Sequence, residues 1–379
     1  LGVVAAQLAG AWRGCGLAGS GVSKLGDNAF KLGIFAENAD GGLALTTVPE
    51  RWGAAWPDIV AVAQMADRAG LEFVLPIARW KGYGGQTNAR GHSFETLTHG
   101  AGLAALTERI AVFSTVHVPL VHPVFAARAI ATIDHIANGR AGLNIVCGWN
   151  QPEFDMFGVS QVAERYAQGL EWHEIFARAL TSDAPFDFAG TYFSCKAVES
   201  APGLVQGGLP LTMSAAFSPP GRDFAARTSD FLLTTLHEIE DGQRDIADIA
   251  ARAAGRKLGV FATSHVVVRD SQDAAEAAYE RYAVTLADHV AVDNHMRMKQ
   301  QMANSYDPRA FDVYRKRFAG GTGTYPLVGT PGHVVAEMVR MHEVGFSGTT
   351  LSFVNFRDEL PYFIDRVLPL MVEAGLRHA

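Results

Sequence analysis

Along residues 30–353, short apolar runs alternate with stretches whose apolar residues recur at helical spacing. Phe30–Phe35 (FKLGIF), Phe73–Ile77, Ile110–Val116, Ala141–Cys147, Leu211–Ala215, Phe231–Leu236, Leu258–Val268 and Thr349–Phe353 are the apolar runs. Bounded by turn signals, they read as strands, and a helix before or after each makes them buried parallel strands. The intervening pattern predicts helices over Trp56–Ala69, Ser93–Leu106, Val124–Ala137, Glu164–Leu180, Arg222–Thr228 and Gly332–Val344. The first carries Ile59, Val62, Met65 and Ala66 on one face and stops at Gly70, as a glycine-capped helix does. A strand followed by a helix recurs about eight times, which predicts an α/β fold of the (β/α)8 TIM-barrel type rather than a doubly wound sheet.

Two insertions, at about 183–208 and 299–327, depart from the repeat. Phe186–Phe193 (FDFAGTYF), with Gly190 at its turn, reads as a small hairpin outside the barrel. Glu276–Met302 is one long helical pattern, and the Gly-, Tyr- and Arg-rich stretch after it is expected to lie over the barrel mouth as a lid. Ala78–Gly91 (ARWKGYGGQTNARG) is a long, basic, glycine-rich loop, and loops of more than about 12 residues are uncommon unless they are functional or disordered. It is a site candidate.

Composition narrows the function without choosing it. The chain of 379 residues is 48% hydrophobic and 19% charged, ample for one α/β barrel or two smaller domains, and the strand–helix repeat makes it one barrel domain over residues 28–379. Its net charge of −7, with Lys and Arg spread out, gives no footprint for nucleic acid or an acidic membrane. Cys15, Cys147 and Cys195 form no CxxC pair, so neither a disulfide framework nor a zinc cluster is indicated and a reducing cytoplasm is expected. Residues 1–27, rich in Gly and Ala, read as a flexible arm or one that packs on a partner subunit; no segment has the length of a membrane span.

In a barrel, the C-terminal strand ends converge on one mouth. They deliver Leu75–Arg79, Thr115, Asn144–Trp149 with Glu153, and Ser214–Gly221. No pair of carboxylates suits glycoside hydrolysis. His117 and His122 read as a solvated loop rather than a metal site, and Cys147 as inert core. Asn144 is the one polar residue inside the fourth apolar run; it is either a satisfied core amide or a group aimed at a ligand. The run Ser214–Gly221 leaves a strand and enters a helix, where small residues free backbone N–H groups for a phosphate. Arg79 and Arg165 are candidate cationic complements.

The run ATIDHIANGR, followed by a strand ending in GW, resembles the bacterial luciferase-like superfamily of flavin-dependent monooxygenases. LNIVCGWNQPEF, with KGYGGQT upstream and ERYAQGLEW downstream, is similar to its subgroup of pyrimidine, dimethylsulfone and dibenzothiophene-sulfone monooxygenases. The resemblance runs from about Phe30 to the C-terminus and is strongest over Phe73–Tyr166. It implies that Asn144 and Thr115 are the catalytic pair holding dioxygen beside the flavin ring, with Leu75, Trp149 and Phe217 as walls of the oxygen and substrate pocket. It implies FMN contacts from Ala78, Arg79, Asn144 and Glu153, and contacts toward the ribityl phosphate from Arg165, Tyr166 and Ser218. FSPPG stands here where relatives have a more open Gly-Ser loop.

The implied activity is a two-component monooxygenase. Reduced FMN arrives from a separate NAD(P)H-dependent flavin reductase, since no GxGxxG nicotinamide site is present. A flavin (hydro)peroxide then oxygenates or cleaves a small organosulfur compound or heterocyclic amide, in a site that excludes water. A homodimer or homotetramer is implied as well. The competing readings are a deazaflavin-dependent oxidoreductase on the same barrel, a flavin-binding protein without catalysis, and an unrelated barrel hydrolase.

Overall fold

The computed structural model describes residues 25–160, 162–300 and 311–378. Its strands are β1 (Lys31–Phe35), β2 (Phe73–Leu75), β3 (Ala111–His117), β4 (Ala141–Val146), β5 (Phe186–Ala189), β6 (Ser194–Val198), β7 (Leu211–Ala215), β8 (Phe231–Thr234), β9 (Gly259–Val268), β10 (Tyr325–Gly329) and β11 (Gly348–Ser352). Eight of them close a parallel barrel in the order β1-β2-β3-β4-β7-β8-β9-β11, with β11 returning to β1. The predicted strands are therefore the barrel strands. β5 and β6 form the expected antiparallel hairpin outside it.

The helices are α1 (Trp56–Arg68), α2 (Thr96–Leu106), α3 (Pro123–Ile136), α4 (Gln151–Met156), α5 (Arg165–Thr181), α6 (Pro219–Thr228), α7 (Ile239–Ala253), α8 (Gln272–Glu280), α9 (His289–Gln300), α10 (Phe311–Gly321), α11 (Pro331–Glu343), α12 (Phe356–Arg366) and α13 (Leu368–Glu373). The single helix expected over Glu276–Met302 is broken: a π-turn at Arg281–Thr285 ends α8, and α9 starts afresh. β10 was not anticipated; it pairs with the part of β9 that outruns the barrel, Ser264–Val268.

Inward positions of the barrel pair phenylalanine with glycine across neighbouring strands. Gly33 lies beside Phe73, Gly142 beside Phe113, and Gly348 beside Phe261. A Cβ on Gly33 would sit 2.1 Å from the Phe73 ring, and one on Gly142 2.6 Å from Phe113, so each ring fills the space its partner leaves. With Phe231 the rings stack edge to face, Phe73–Phe261 at 5.3 Å and Phe231–Phe261 at 5.5 Å, and plug the barrel floor. Leu25, the first described residue, is buried against this plug; residues 1–24 of the expected arm lie outside the described residues.

The most recognisable sequence run serves the barrel's lower edge. Asp134, fully buried on α3, accepts from Ala141 N at 3.3 Å and from Gln206 Nε2 at 2.7 Å. Asn138 and Gly139 turn the chain with φ of 50° and 85°. Arg140 then donates to the carbonyls of Ile110 (2.6 Å), Ala104 and Thr107, tying β4 to the end of α2. IDHIANGR is thus a clamp that sets the height of β4, and with it the height of Asn144.

Candidate active site

Two residues further along each strand, the aromatic floor gives way to a different layer. Above Phe113 stands Thr115 and above Gly142 stands Asn144, and the β3–β4 register places these two side by side. Thr115 is 2.6 Å from the carbonyl of Pro76, which can only accept, so the hydroxyl proton is committed there. The atom of Asn144 facing Thr115 Oγ1 at 3.2 Å must then be the donor Nδ2. This leaves Asn144 Oδ1 buried without a partner and one Nδ2–H uncommitted. Both side chains are nearly inaccessible, Asn144 at 3% and Thr115 at 6%. Of the two meanings open for Asn144, a fully satisfied core amide does not fit this geometry.

Leu75 is buried two positions above Phe73. From the loop after β2, Arg79 Nη1 meets both carboxylate oxygens of Glu153 at 3.3 and 3.2 Å, and Glu153 also accepts from Trp80 N at 3.0 Å. Glu153 is wholly buried at the start of α4. The Arg79 guanidinium lies over the Trp149 ring at 4.8 Å. Ala78 stands at the edge of a cleft of about 590 Å³ that runs from Arg79 and Thr115 outward between α2 and α3.

His117 closes β3 and is buried rather than solvated, a correction to the loop reading. Burial lowers its pKa to about 4, so it is a neutral imidazole beside Phe154 with Nδ1 unpartnered. Burial likewise pushes the Cys147 thiol up to about 12, which suits the inert reading.

The end opposite Arg79 is built from Arg165, Tyr166 and Ser218. Arg165 Nη1 donates to Gly148 O at 3.0 Å, and the Tyr166 hydroxyl is 3.2 Å from Ser218 Oγ. A Cβ on Gly221 would lie 2.6 Å from that hydroxyl, so glycine keeps the corner open. α6 starts with Pro219 and Pro220, which carry no N–H, and Arg222 N already bonds Ser218 O. Within the first turn of α6 the expected backbone donors therefore shrink to Gly221, and an anion at this corner relies more on side chains. Phe217 stands half exposed just before it.

Sequence reasoning did not single out the roof. α9 lies across the C-terminal strand ends: Asn294 Nδ2 donates to Tyr83 O at 2.8 Å, His295 stacks on Tyr83 at 4.1 Å and faces Trp149 at 6.2 Å, and Lys299 lies 5.8 Å from the Phe217 ring. The stretch expected as a lid begins after α9, and its residues 303–310 lie outside the described residues. Arg90, with φ of 65° in the turn that ends the glycine-rich loop, is buried beneath the same helix. These groups meet through contacts about 80 to 210 residues apart, for which a single sequence carries no signal.

The family described as luciferase-like monooxygenase matches residues 30–348. The FMNH2-dependent dimethylsulfone monooxygenase of Pseudomonas fluorescens (strain Pf0-1) is 29% identical over 365 residues, covering 92% of this chain and 96% of that protein. Pyrimidine monooxygenase RutA of Escherichia coli O6:H1 is 28% identical over 355 residues, covering 90% of this chain and 89% of that protein. Among solved structures, riboflavin lyase RcaE with modified FMN and the substrate riboflavin has a TM-score of 0.81 at 23% identity, covering 92% of both chains. With a match that spans most of the barrel, this chain belongs to the luciferase-like monooxygenase family and is a monooxygenase.

Proposed function

We propose that the protein binds reduced FMN at the barrel mouth and uses dioxygen to oxygenate or cleave a small organic molecule, an organosulfur compound or a heterocyclic amide. The observation that carries this reading is the Asn144–Thr115 pair: an oriented amide with one uncommitted N–H in a nearly inaccessible layer, bearing no charge and no base. The residues present fit the cofactor. Orphaned polar atoms on Asn144, Arg79 and His117 line the inner part of the mouth, and the open corner at Gly221 is rimmed by hydroxyls and an arginine.

Arg165, Tyr166, Ser218 and the Gly221 N–H would hold the phosphate, and Ala78, Arg79 and Glu153 the edge of the ring system. When bound, reduced FMN supplies the two electrons that let one oxygen atom enter the substrate while the other leaves as water. Thr115, its own proton held by Pro76, fixes the amide plane of Asn144. Asn144 then directs its second N–H at the position where negative charge develops on oxygen, at no cost of reorganisation. Leu75 and Trp149 exclude water from that position.

A separate NAD(P)H-dependent flavin reductase would deliver the cofactor. No helix among the described residues is long and apolar enough to cross a membrane, in keeping with the proposed cytoplasmic setting. A homodimer or homotetramer formed through barrel helices belongs to the same proposal; Phe125, 62% exposed, stands on one such helix, α3.

Anaerobic titration with reduced FMN, followed by mixing with oxygen, tests the reading. Tight binding and an oxygen-dependent change in the flavin spectrum are expected. Binding of reduced deazaflavin in place of FMN, with no oxygen requirement, would replace oxygenation by hydride transfer.

A further inference from the structure

The roof of the mouth holds more positive charge than it can use internally. Arg79 is matched by Glu153, but Arg90 sends Nε, Nη1 and Nη2 to neutral acceptors, Gly42 O, Tyr83 Oη and Thr322 Oγ1. Among the described residues, Lys299 meets the faces of Phe217 and Phe318, at 5.8 and 5.4 Å. Nearby carboxylates are already engaged: Asp40 with Arg51 and His92 N, and Asp288 with Thr87 and Ala291 N. Among the described residues, three cations therefore share one directly bonded acid in a site walled by aromatic rings, an arrangement that costs free energy unless an anion completes it.

His295 provides an independent sign. It is 2% exposed, stacked on Tyr83 with Trp149 near-parallel at 6.2 Å, and neither ring nitrogen has a partner. Arg79 Nε is likewise buried without a partner. We propose that Arg79, His295 and Lys299 form a subsite for an oxyanion group of the substrate, a carboxylate or a sulfonate, held under α9 against Trp149 and Phe217. The identification of the ligand as substrate rests on the monooxygenase reading above. The phosphate corner at Tyr166 and Ser218 has a cation of its own, Arg165, so the roof cations are not needed there. The subsite sets this chain's substrate apart from neutral sulfones and pyrimidines.

Lys299 also gives the subsite a pH signature. Burial, with Arg79 and Arg90 beside it, lowers its pKa to about 8. The groups facing it are Arg79 and Arg90 from the loop after β2, His295 on its own helix, Phe217 before α6 and Phe318 on α10, with Glu153 reached through Arg79. His295 is held neutral by burial and these cations, so the lysine is the group whose charge changes above neutrality. An anion is held by the protonated amine and released as pH rises past its pKa.

The test is calorimetric titration with benzenesulfonate and with its neutral isostere methyl phenyl sulfone, on the protein alone and loaded with FMN, at pH 7 and 9. Benzenesulfonate is expected to bind at pH 7, to weaken about tenfold at pH 9, and to weaken at least tenfold in Lys299→Met, which also loses the pH dependence. FMN affinity and thermal stability of Lys299→Met should match the parent, and methyl phenyl sulfone should bind equally to both. Benzoate in place of benzenesulfonate decides between the two oxyanions. Equal affinity for the sulfonate and the sulfone, or loss of FMN affinity in Lys299→Met as large as the loss for benzenesulfonate, would overturn the subsite. Lys299-dependent sulfonate binding in a protein that binds no FMN would keep the subsite and remove the flavin reading.

Discussion

The floor and the mouth of this barrel are separated by two residues along each strand and are built on opposite principles. The floor is Phe73, Phe113, Phe231 and Phe261 fitted against Gly33, Gly142 and Gly348, an apolar cluster. One step up, Phe35, Leu75 and Leu233 stay apolar, but the positions above Phe113, Gly142, Phe261 and Gly348 are Thr115, Asn144, Thr263 and Thr350, and Asn144 Oδ1, Thr263 Oγ1 and Thr350 Oγ1 are buried without partners. A close-packed hydrocarbon plug contributes stability and binds nothing; a layer of unsatisfied polar atoms costs stability and is available to a ligand. The mouth is therefore the part of the molecule where binding energy remains unspent.

The largest effect that follows belongs to the floor. Phe261→Ala removes the ring that touches both Phe73 and Phe231 and leaves a cavity the glycines cannot fill. Urea unfolding should show a loss of about 3–5 kcal/mol. Reduced FMN should still bind the folded fraction with parental affinity, because the plug lies below the site. A variant of parental stability would show that the floor is loosely packed and the contrast false.

Asn144→Ala tests the mouth from the other side. It removes the uncommitted donor, and turnover of any substrate with reduced FMN and oxygen should fall by about 10²-fold. Flavin affinity and the urea midpoint should hardly change, since the lost side chain was not fully satisfied in the fold. Equal loss of turnover and of flavin binding would mean that Asn144 only shapes the pocket.

These two positions also show what a single sequence can convey. The eight barrel strands were legible because buried parallel strands are apolar on both faces and stand out as unbroken runs. Asn144 was legible for the same reason, as the one amide in such a run. β10 was hidden: Tyr325–Gly329 contains Pro326, sits in a Gly- and Arg-rich stretch and buries only alternate residues. The break between α8 and α9 was hidden because a π-turn lets apolar spacing continue through it. Arg90, His295 and Lys299 were hidden because their proximity is a product of α9 docking on the loop after β2, not of any local pattern.

A smaller effect is expected at the phosphate corner. Tyr166→Phe deletes the hydroxyl shared with Ser218 and approached by Arg165 at 3.5 Å. FMN affinity should fall about tenfold, the order of one hydrogen bond to a charged group, while riboflavin, which lacks the phosphate, should bind unchanged. Equal losses for both flavins would move the phosphate elsewhere.

The smallest effect concerns a cost carried beside the mouth. Glu37, two residues past the end of β1, is wholly buried, and its carboxyl stands 3.5 Å from Nε2 of the equally buried His99. Burial raises Glu37 to about 8 and lowers His99 to about 4, so near neutrality the pair is a neutral acid beside a neutral imidazole. The signs oppose each other. The raised acid contributes stability below its unfolded value near 4.5 that is lost as pH rises toward 8, whereas the lowered imidazole makes stability rise between about 4 and 6.5. From 4.5 to 6.5 the two slopes offset, and above 6.5 only the loss from Glu37 remains. Glu37→Gln, which cannot ionise, should therefore keep the rise up to 6.5 and then stay level. Its advantage over the parent should grow by about 2 kcal/mol between pH 6.5 and 8, read from urea unfolding at pH 5, 6.5 and 8. A parent curve that is flat from 6.5 to 8 would place the Glu37 proton transition outside that window and remove the cost ascribed to this pair.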